Sequence, residues 1–195
     1  HHHANVSFLL DLKTTLDLDC LEKAIKRLVD HQPMLNTTYY RDTNNHWCTY
    51  YNCDLPKQTR FLESINLAPL APKEKQKYKQ QKLRSLQQNL SLKEGKLFSF
   101  AHINDAEQQQ LFVTFHLLAA DGVSIRILME DLLMAYMAIK NDAPVNFPMK
   151  TQPYPLWSKA LRTNLESYDC QKEIAFWQNT MPKEVTQFAP YSVED

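Results

Sequence analysis

The sequence predicts an α/β (α+β) fold in which a mixed, mostly antiparallel sheet carries flanking helices. Three observations predict it. Short apolar stretches follow one another with only brief polar turns between them, as antiparallel neighbours do. Other stretches place apolar residues at helical spacing. The 195 residues are 44% hydrophobic and 23% charged, which is enough apolar material for a core.

The elements follow in order. Asn5–Leu12 (NVSFLLDL) is a short apolar run and reads as a strand. Asp19 and Glu22 have the spacing of a capping box. Leu18, Leu21, Ala24, Ile25 and Leu28 then recur on one helical face, so a helix is expected over Cys20–His31, stopped by Pro33. Met34–Arg41 and His46–Tyr51 are rich in aromatic residues and threonine and flank Asp42-Thr-Asn-Asn45, a hairpin turn. A polar helix is expected over Lys73–Asn89. Its lysines are interleaved with glutamines and lack an aromatic stacking platform, so it reads as a solvated face rather than a nucleic-acid site.

Leu97–Asn104 and Gln110–Leu118 predict two further strands around the polar turn 105–109. After Asp121-Gly122 a helix is expected with Ser124 as its N-cap. Ile125, Leu128, Met129, Leu132, Leu133 and Tyr136 form its apolar stripe, which is core packing. Pro144–Pro155 reads as a proline-rich connector, and two amphipathic helices are expected over Leu156–Leu165 and Tyr168–Asn179. No repeat or low-complexity linker marks an internal boundary, so 1–195 is expected to be a single unit.

Lys+Arg and Asp+Glu number 22 each, so no global charge favours nucleic acid or a membrane surface as partner. No run approaches the roughly 18 apolar residues that span a bilayer, and no secretory pattern opens the chain. A cytoplasmic protein is the expectation. Cys20, Cys48, Cys53 and Cys170 form no CxxC pair and read as reduced thiols. His1–His3 are either a tag remnant or native, and are given no role. Only two glycines occur, Gly95 and Gly122, against roughly 7% on average. Both are expected where a side chain does not fit or φ is positive.

The informative stretch is Phe115-His-Leu-Leu-Ala-Ala-Asp-Gly-Val-Ser124. A strand delivers a histidine, an Asp-Gly turn follows, and a helix begins. The stretch resembles the HHxxxDG motif of the condensation-domain superfamily of nonribosomal peptide synthetases, which includes epimerisation domains. His116 matches the first histidine, Leu117 the second, Asp121 the aspartate and Gly122 the glycine. Further segments are similar in order: His31–Thr37 (HQPMLNT) to the family's RHxxLRT, Leu90–Leu97, Gly122–Leu132, Lys150-Thr…Trp157 and Glu173–Trp177, the last two especially to epimerisation domains.

The resemblance implies a chloramphenicol-acetyltransferase-like lobe. This lobe would be the N-terminal one of a two-lobed domain about twice as long, with a missing C-terminal lobe as partner. It implies a tunnel between the lobes, and carrier proteins that present aminoacyl or peptidyl thioesters on phosphopantetheine. No cofactor bound directly by the lobe and no metal are expected. The family's second histidine serves in proton transfer or in positioning the attacking amine, in epimerising members together with a glutamate from the other lobe. His116 and Asp121 are the candidate catalytic positions, and Leu117, Gly122 and Ser124 the candidate tunnel-lining ones.

The chain departs from the pattern at Leu117, since leucine cannot act as acid or base. His116 is not a ready substitute, because neighbouring strand residues face opposite sides. Asn36 stands where the family has an arginine that resembles a salt-bridge partner for the motif aspartate. Asp121 is therefore either a helix cap or a residual catalytic group. His102 and His116 lie on neighbouring predicted strands and are near enough in pattern to meet, though two histidines alone are weak as a metal site. The expectation is a domain that acts on or docks carrier-bound substrates and is catalytically impaired. An active enzyme using other residues and a non-catalytic interaction module remain the alternatives, as does an engineered histidine-to-leucine replacement.

Overall fold

Along the chain the elements are β1 (Asn5–Leu12), α1 (Leu18–His31), a 3-10 turn (Pro33–Asn36), β2 (Thr37–Arg41), β3 (Trp47–Tyr51) and β4 (Leu62–Asn66). They continue with α2 (Pro72–Gln88), β5 (Phe98–Asp105), β6 (Gln108–His116), α3 (Gly122–Lys140), α4 (Tyr154–Ser167) and α5 (Gln171–Thr180). The structure is a computed structural model and describes residues 4–51, 60–106, 108–167 and 170–181. His1–His3 and Cys53 lie outside the described residues. Cys20, Cys48 and Cys170 are free thiols.

The main sheet has the order β1-β6-β5-β4. β1 and β5 run antiparallel to β6, whereas β4 runs parallel to β5, so the sheet is mixed. Side chains alternate along each strand. Phe98 and Phe100 of β5 therefore share one face with Leu111, Val113 and Phe115 of β6, and α1 and α3 cover it with Leu21, Ile25, Leu28, Ile125, Leu128 and Leu132. The rings of Phe100 and Phe115 meet edge to face at 5.8 Å. Ala101, Ile103 and Phe112 point to the other face and pack on Leu86 of α2. Each fully buried large apolar side chain contributes about 1.5–3 kcal/mol, so this two-sided packing dominates the stability.

β4 was not among the expected strands. It pairs with β5 over Leu62↔Phe100 to Asn66↔Asn104, and α2 supplies the crossover that a parallel pair requires. The cap of α1 also differs from expectation. Asp17, not Asp19, accepts the Cys20 N–H at 2.9 Å. Glu22 leaves its helix altogether and accepts the backbone N–H groups of Phe61 (2.5 Å) and Leu62 (2.8 Å) at the start of β4. The lysine-rich helix α2 is tied to the sheet through Lys75 on Asp105 at 2.6 Å and Lys79 on Gln110.

β2 and β3 form a separate two-stranded sheet. Its turn is closed by Asp42 Oδ1, which accepts the N–H of Asn44 (2.9 Å) and of His46 (2.8 Å), while Asn45 takes φ 64°. Residues Met34–Asn36, expected in the strand, form the 3-10 turn, as Pro33 at its start favours. The turn over residues 91–96 fastens this sheet to the main one. Leu92 O accepts from Tyr39 N at 3.0 Å, and Leu97 O from His116 N at 2.8 Å. Gly95 in that turn has φ 66°, as expected of a retained glycine.

The chain divides into two compact units, His1–Pro148 and Met149–Asp195, within the proline-rich connector. In the second unit, no described residue of α4 or α5 is buried. Tyr154 and Trp157 (5.9 Å) and Phe176 and Trp177 (5.3 Å) form exposed aromatic pairs. Among the described residues no helix is long and apolar enough to cross a membrane.

Candidate functional site

The strand–turn–helix at residues 115–124 is present. His116 ends β6 with its side chain buried (1% exposed), whereas Leu117 is 52% exposed. One side chain is inside and the other outside, the difference that strand alternation leads one to expect at the strand end. Leu117 N donates to Ala4 O at 2.9 Å, extending the β1–β6 ladder by one residue. The chain then turns, and the His116 carbonyl accepts the N–H of Ala119 (2.9 Å) and Ala120 (3.3 Å). His116 Nδ1 accepts the Leu118 N–H at 3.1 Å. An accepting Nδ1 places the proton of the neutral ring on Nε2.

Helix α3 starts one turn earlier than expected. Asp121, not Ser124, is its N-cap, and Oδ1 accepts both the Ser124 N–H (2.8 Å) and the Ser124 hydroxyl (2.6 Å). The hydroxyl first and the backbone N–H second hold the Asp121 carboxyl below its usual range, with burial opposing slightly. Both residues are candidate cap formers three positions apart. The aspartate wins because its extended backbone (ψ −178°) precedes the first helical residue. Asp121 thus satisfies its charge on the helix start, while Asn36 closes the 3-10 turn. Gly122 departs from the glycine expectation: its φ is not positive and a Cβ there would meet no atom within 4 Å.

A further residue belongs to this site and was not foreseen. The Tyr39 hydroxyl donates to Leu118 O at 2.7 Å. Tyr39 is buried against Leu92 and Leu97, with Ala119 beside them. The only sequence signal was the inward alternation of Thr37 and Tyr39 on β2.

His102 and His116 do not meet. The register sets His102 opposite Leu111, five positions from His116 along β6, or roughly 17 Å at strand spacing. Their parity also puts them on opposite faces. His102 Nε2 lies 3.2 Å from Gln109 Oε1, and its buried Nδ1 has no partner among the described residues. Among the described residues, no three His, Cys, Asp or Glu side chains come together as a metal site.

An apolar groove of about 610 Å³ runs from Gly122 between β1 and α3. Phe8, Leu10, Ile125, Met129 and Leu133 line it, and Arg126, paired with Glu130 at 3.2 Å, stands at its rim.

The model of the condensation domain family matches residues 1–192. The chain belongs to the condensation-domain family. It is 33% identical over 180 residues to a linear gramicidin synthase of Brevibacillus parabrevis, covering 90% of this chain and 2% of that protein. Tyrocidine synthase 1 of the same organism is 27% identical over 195 residues, covering 99% of this chain and 18% of that one. Among solved structures, the epimerization domain from the third module of tyrocidine synthetase B superposes with a TM-score of 0.84 at 25% identity. That match covers 95% of this chain and 42% of the solved one. The starter condensation domain of rhizomide synthetase shares the fold, with a TM-score of 0.74 at 14% identity over 94% of this chain and 43% of that one. The chain is thus a condensation/epimerisation-type sequence of the nonribosomal peptide synthetases, with the chloramphenicol-acetyltransferase-like fold expected of it. It spans under a fifth of the length of these synthetases and somewhat over two fifths of the solved domains.

Proposed function

We propose that residues 1–195 are the N-terminal lobe of a two-lobed condensation/epimerisation domain that receives carrier-protein-bound aminoacyl or peptidyl thioesters, and that proton transfer by this lobe is impaired. The carrier's phosphopantetheine arm would bring the substrate to the end of β6, in a cytoplasmic synthetase. The observation that carries the reading is the placement of Leu117: half exposed at the strand end, in the position that resembles the family's second histidine, in the turn that leads to the cap aspartate Asp121 and the helix start. Leucine there offers apolar surface and no proton.

The neighbouring groups do not take over that role in this arrangement. His116 is buried and engaged at Nδ1 with Leu118 N, and Asp121 is engaged with Ser124. Leu117, Gly122 and Ser124 would then line the substrate path, where the open space beside Gly122 leaves room for the ligand. Docking and orientation of two thioesters need no base, and proximity alone accelerates a condensation. Removal of an α-proton does need one.

The test uses the full-length polypeptide and its Leu117→His variant. Each is mixed with peptidyl-loaded carrier protein in heavy water, and α-deuterium uptake and product are followed by intact mass. Reaction by the variant alone is expected. Reaction by the unaltered protein at a comparable rate would overturn the impairment, and reaction by neither would overturn the assignment of position 117.

A further inference from the structure

We infer that Tyr39 is a positioning residue, whose hydroxyl, with His116, fixes the direction in which the side chain at position 117 points. The inference rests on the reading of position 117 given above and adds a residue that the motif does not contain.

Three successive peptide groups follow one another here, and each is pinned by a different partner. The 116–117 peptide is held by Leu117 N on Ala4 O (2.9 Å), which belongs to the β1 side of the sheet. The 117–118 peptide is held by Leu118 N on His116 Nδ1 (3.1 Å). The 118–119 peptide is held by Leu118 O, which accepts from Tyr39 (2.7 Å). A β-turn whose ends are joined, as here by Ala119 N on His116 O (2.9 Å), still has a central peptide that can flip between turn types. Such a flip changes ψ of residue 117 and φ of residue 118 together and leaves the Cα positions nearly in place, so re-aiming the side chain at 117 requires that the following 118–119 peptide move as well. The Leu118 N–H bond to His116 Nδ1 opposes the flip of that central peptide, and the Tyr39 bond to Leu118 O holds the peptide that follows, so the turn is fixed on both sides of Leu118.

Tyr39 suits this role because it arrives from another element. Its own N–H is fixed on Leu92 O (3.0 Å), and its ring is packed against Leu92 and Leu97. The hydroxyl is therefore delivered by a buried ring with little freedom, 79 residues from the carbonyl it meets. Second partners of this kind hold reacting groups in productive geometry, and misplacement by about 1 Å costs on the order of a hundredfold in rate.

The experiment removes only the hydroxyl. In Tyr39→Phe the ring packing stays, and Tyr40→Phe, on the exposed neighbour, serves as control. On the 195-residue chain, amide exchange at Leu118, Ala119 and Ala120 and the backbone order parameter at Leu117 are followed by NMR. A single net hydrogen bond corresponds to about a tenfold rise in local exchange. That rise is expected in Tyr39→Phe alone, with the amides of β5 and β6 unchanged. In the full-length Leu117→His protein, Tyr39→Phe is expected to lower kcat about tenfold at unchanged KM.

Unchanged exchange and order at 117–120 overturn the proposal whatever the activity. Local loosening with kcat unaffected also overturns it, because Tyr39 would then hold the turn without serving the reacting position. If Leu117→His is inactive while Tyr39→Phe loosens 117–120, the reading of position 117 fails and the hold of Tyr39 on that turn stands.

Discussion

Glu22 and Leu62 are joined across the fold by a carboxylate that does nothing for its own helix. Glu22 sits in the first turns of α1, yet its two oxygens accept the N–H groups of Phe61 and Leu62 where β4 begins. The edge strand is thereby anchored to the layer above it. Charge-assisted bonds of this kind are worth about 1.5–3 kcal/mol, and Glu22→Ala is expected to destabilise the protein by about that much. Urea unfolding measures it. A loss below about 0.5 kcal/mol, the level of an ordinary surface change, would contradict the anchoring role.

Asp121 predicts a pH dependence. Its folded carboxyl lies below the usual range because the Ser124 hydroxyl and N–H favour the charged form. The folded value is thus depressed relative to the unfolded one, about 3.9. Its contribution is present above the unfolded value and is lost as pH falls through the folded one. The melting-temperature gap between the protein and Asp121→Ala is expected to be open at about pH 6 and to close on acidification below pH ~4. A gap that is constant with pH would show that the cap acts without its charge.

Burial separates two leucines that look alike in sequence. Leu28 is fully buried between α1 and the sheet, and Leu28→Ala is expected to cost about 2–5 kcal/mol. Leu117 is half exposed, so Leu117→His is expected to change stability by no more than about 0.5 kcal/mol. Denaturant midpoints compare them. A large loss at Leu117 would mean that this side chain is structural.

The apolar residues of α4 and α5 predict self-association. Leu156, Trp157, Leu161, Phe176 and Trp177 are all exposed. A surface this apolar is uncommon on a monomer. Sedimentation of the 195-residue chain is expected to show mass rising with concentration, and a Trp157→Ser/Trp177→Ser variant is expected to lose the effect. A constant monomer mass would count against it.

How far the sequence could be read follows from the range of the forces involved. The bounds of β1 were legible as a short apolar run, α2 as a polar helix, and the courses of α1 and α3 because period 3.6 is a local signal. β4 was not, since Leu62, Ile65 and Leu67 fit no alternation, and its partner Phe100 is far along the chain. For α3 the sequence offered both Ser124 as N-cap and Asp121 as a helix cap, and the structure uses Asp121; aspartate and serine cap almost equally well and only the backbone chooses. At the site, the opposed burial of His116 and Leu117 was legible from strand alternation. Tyr39 was not, because it meets a backbone carbonyl, and a carbonyl leaves no mark on the sequence.

The pinned turn after His116 has a consequence for engineering. None of the hydrogen bonds that shape it uses the side chain at position 117, so that position behaves as a socket in a prefabricated frame. Side chains as different as histidine, cysteine, glutamate and lysine are expected to be installable there one at a time with that frame retained, since the position is half exposed. If position 117 serves the reaction as proposed, a small panel of such swaps would compare different chemistries at one address on a common backbone.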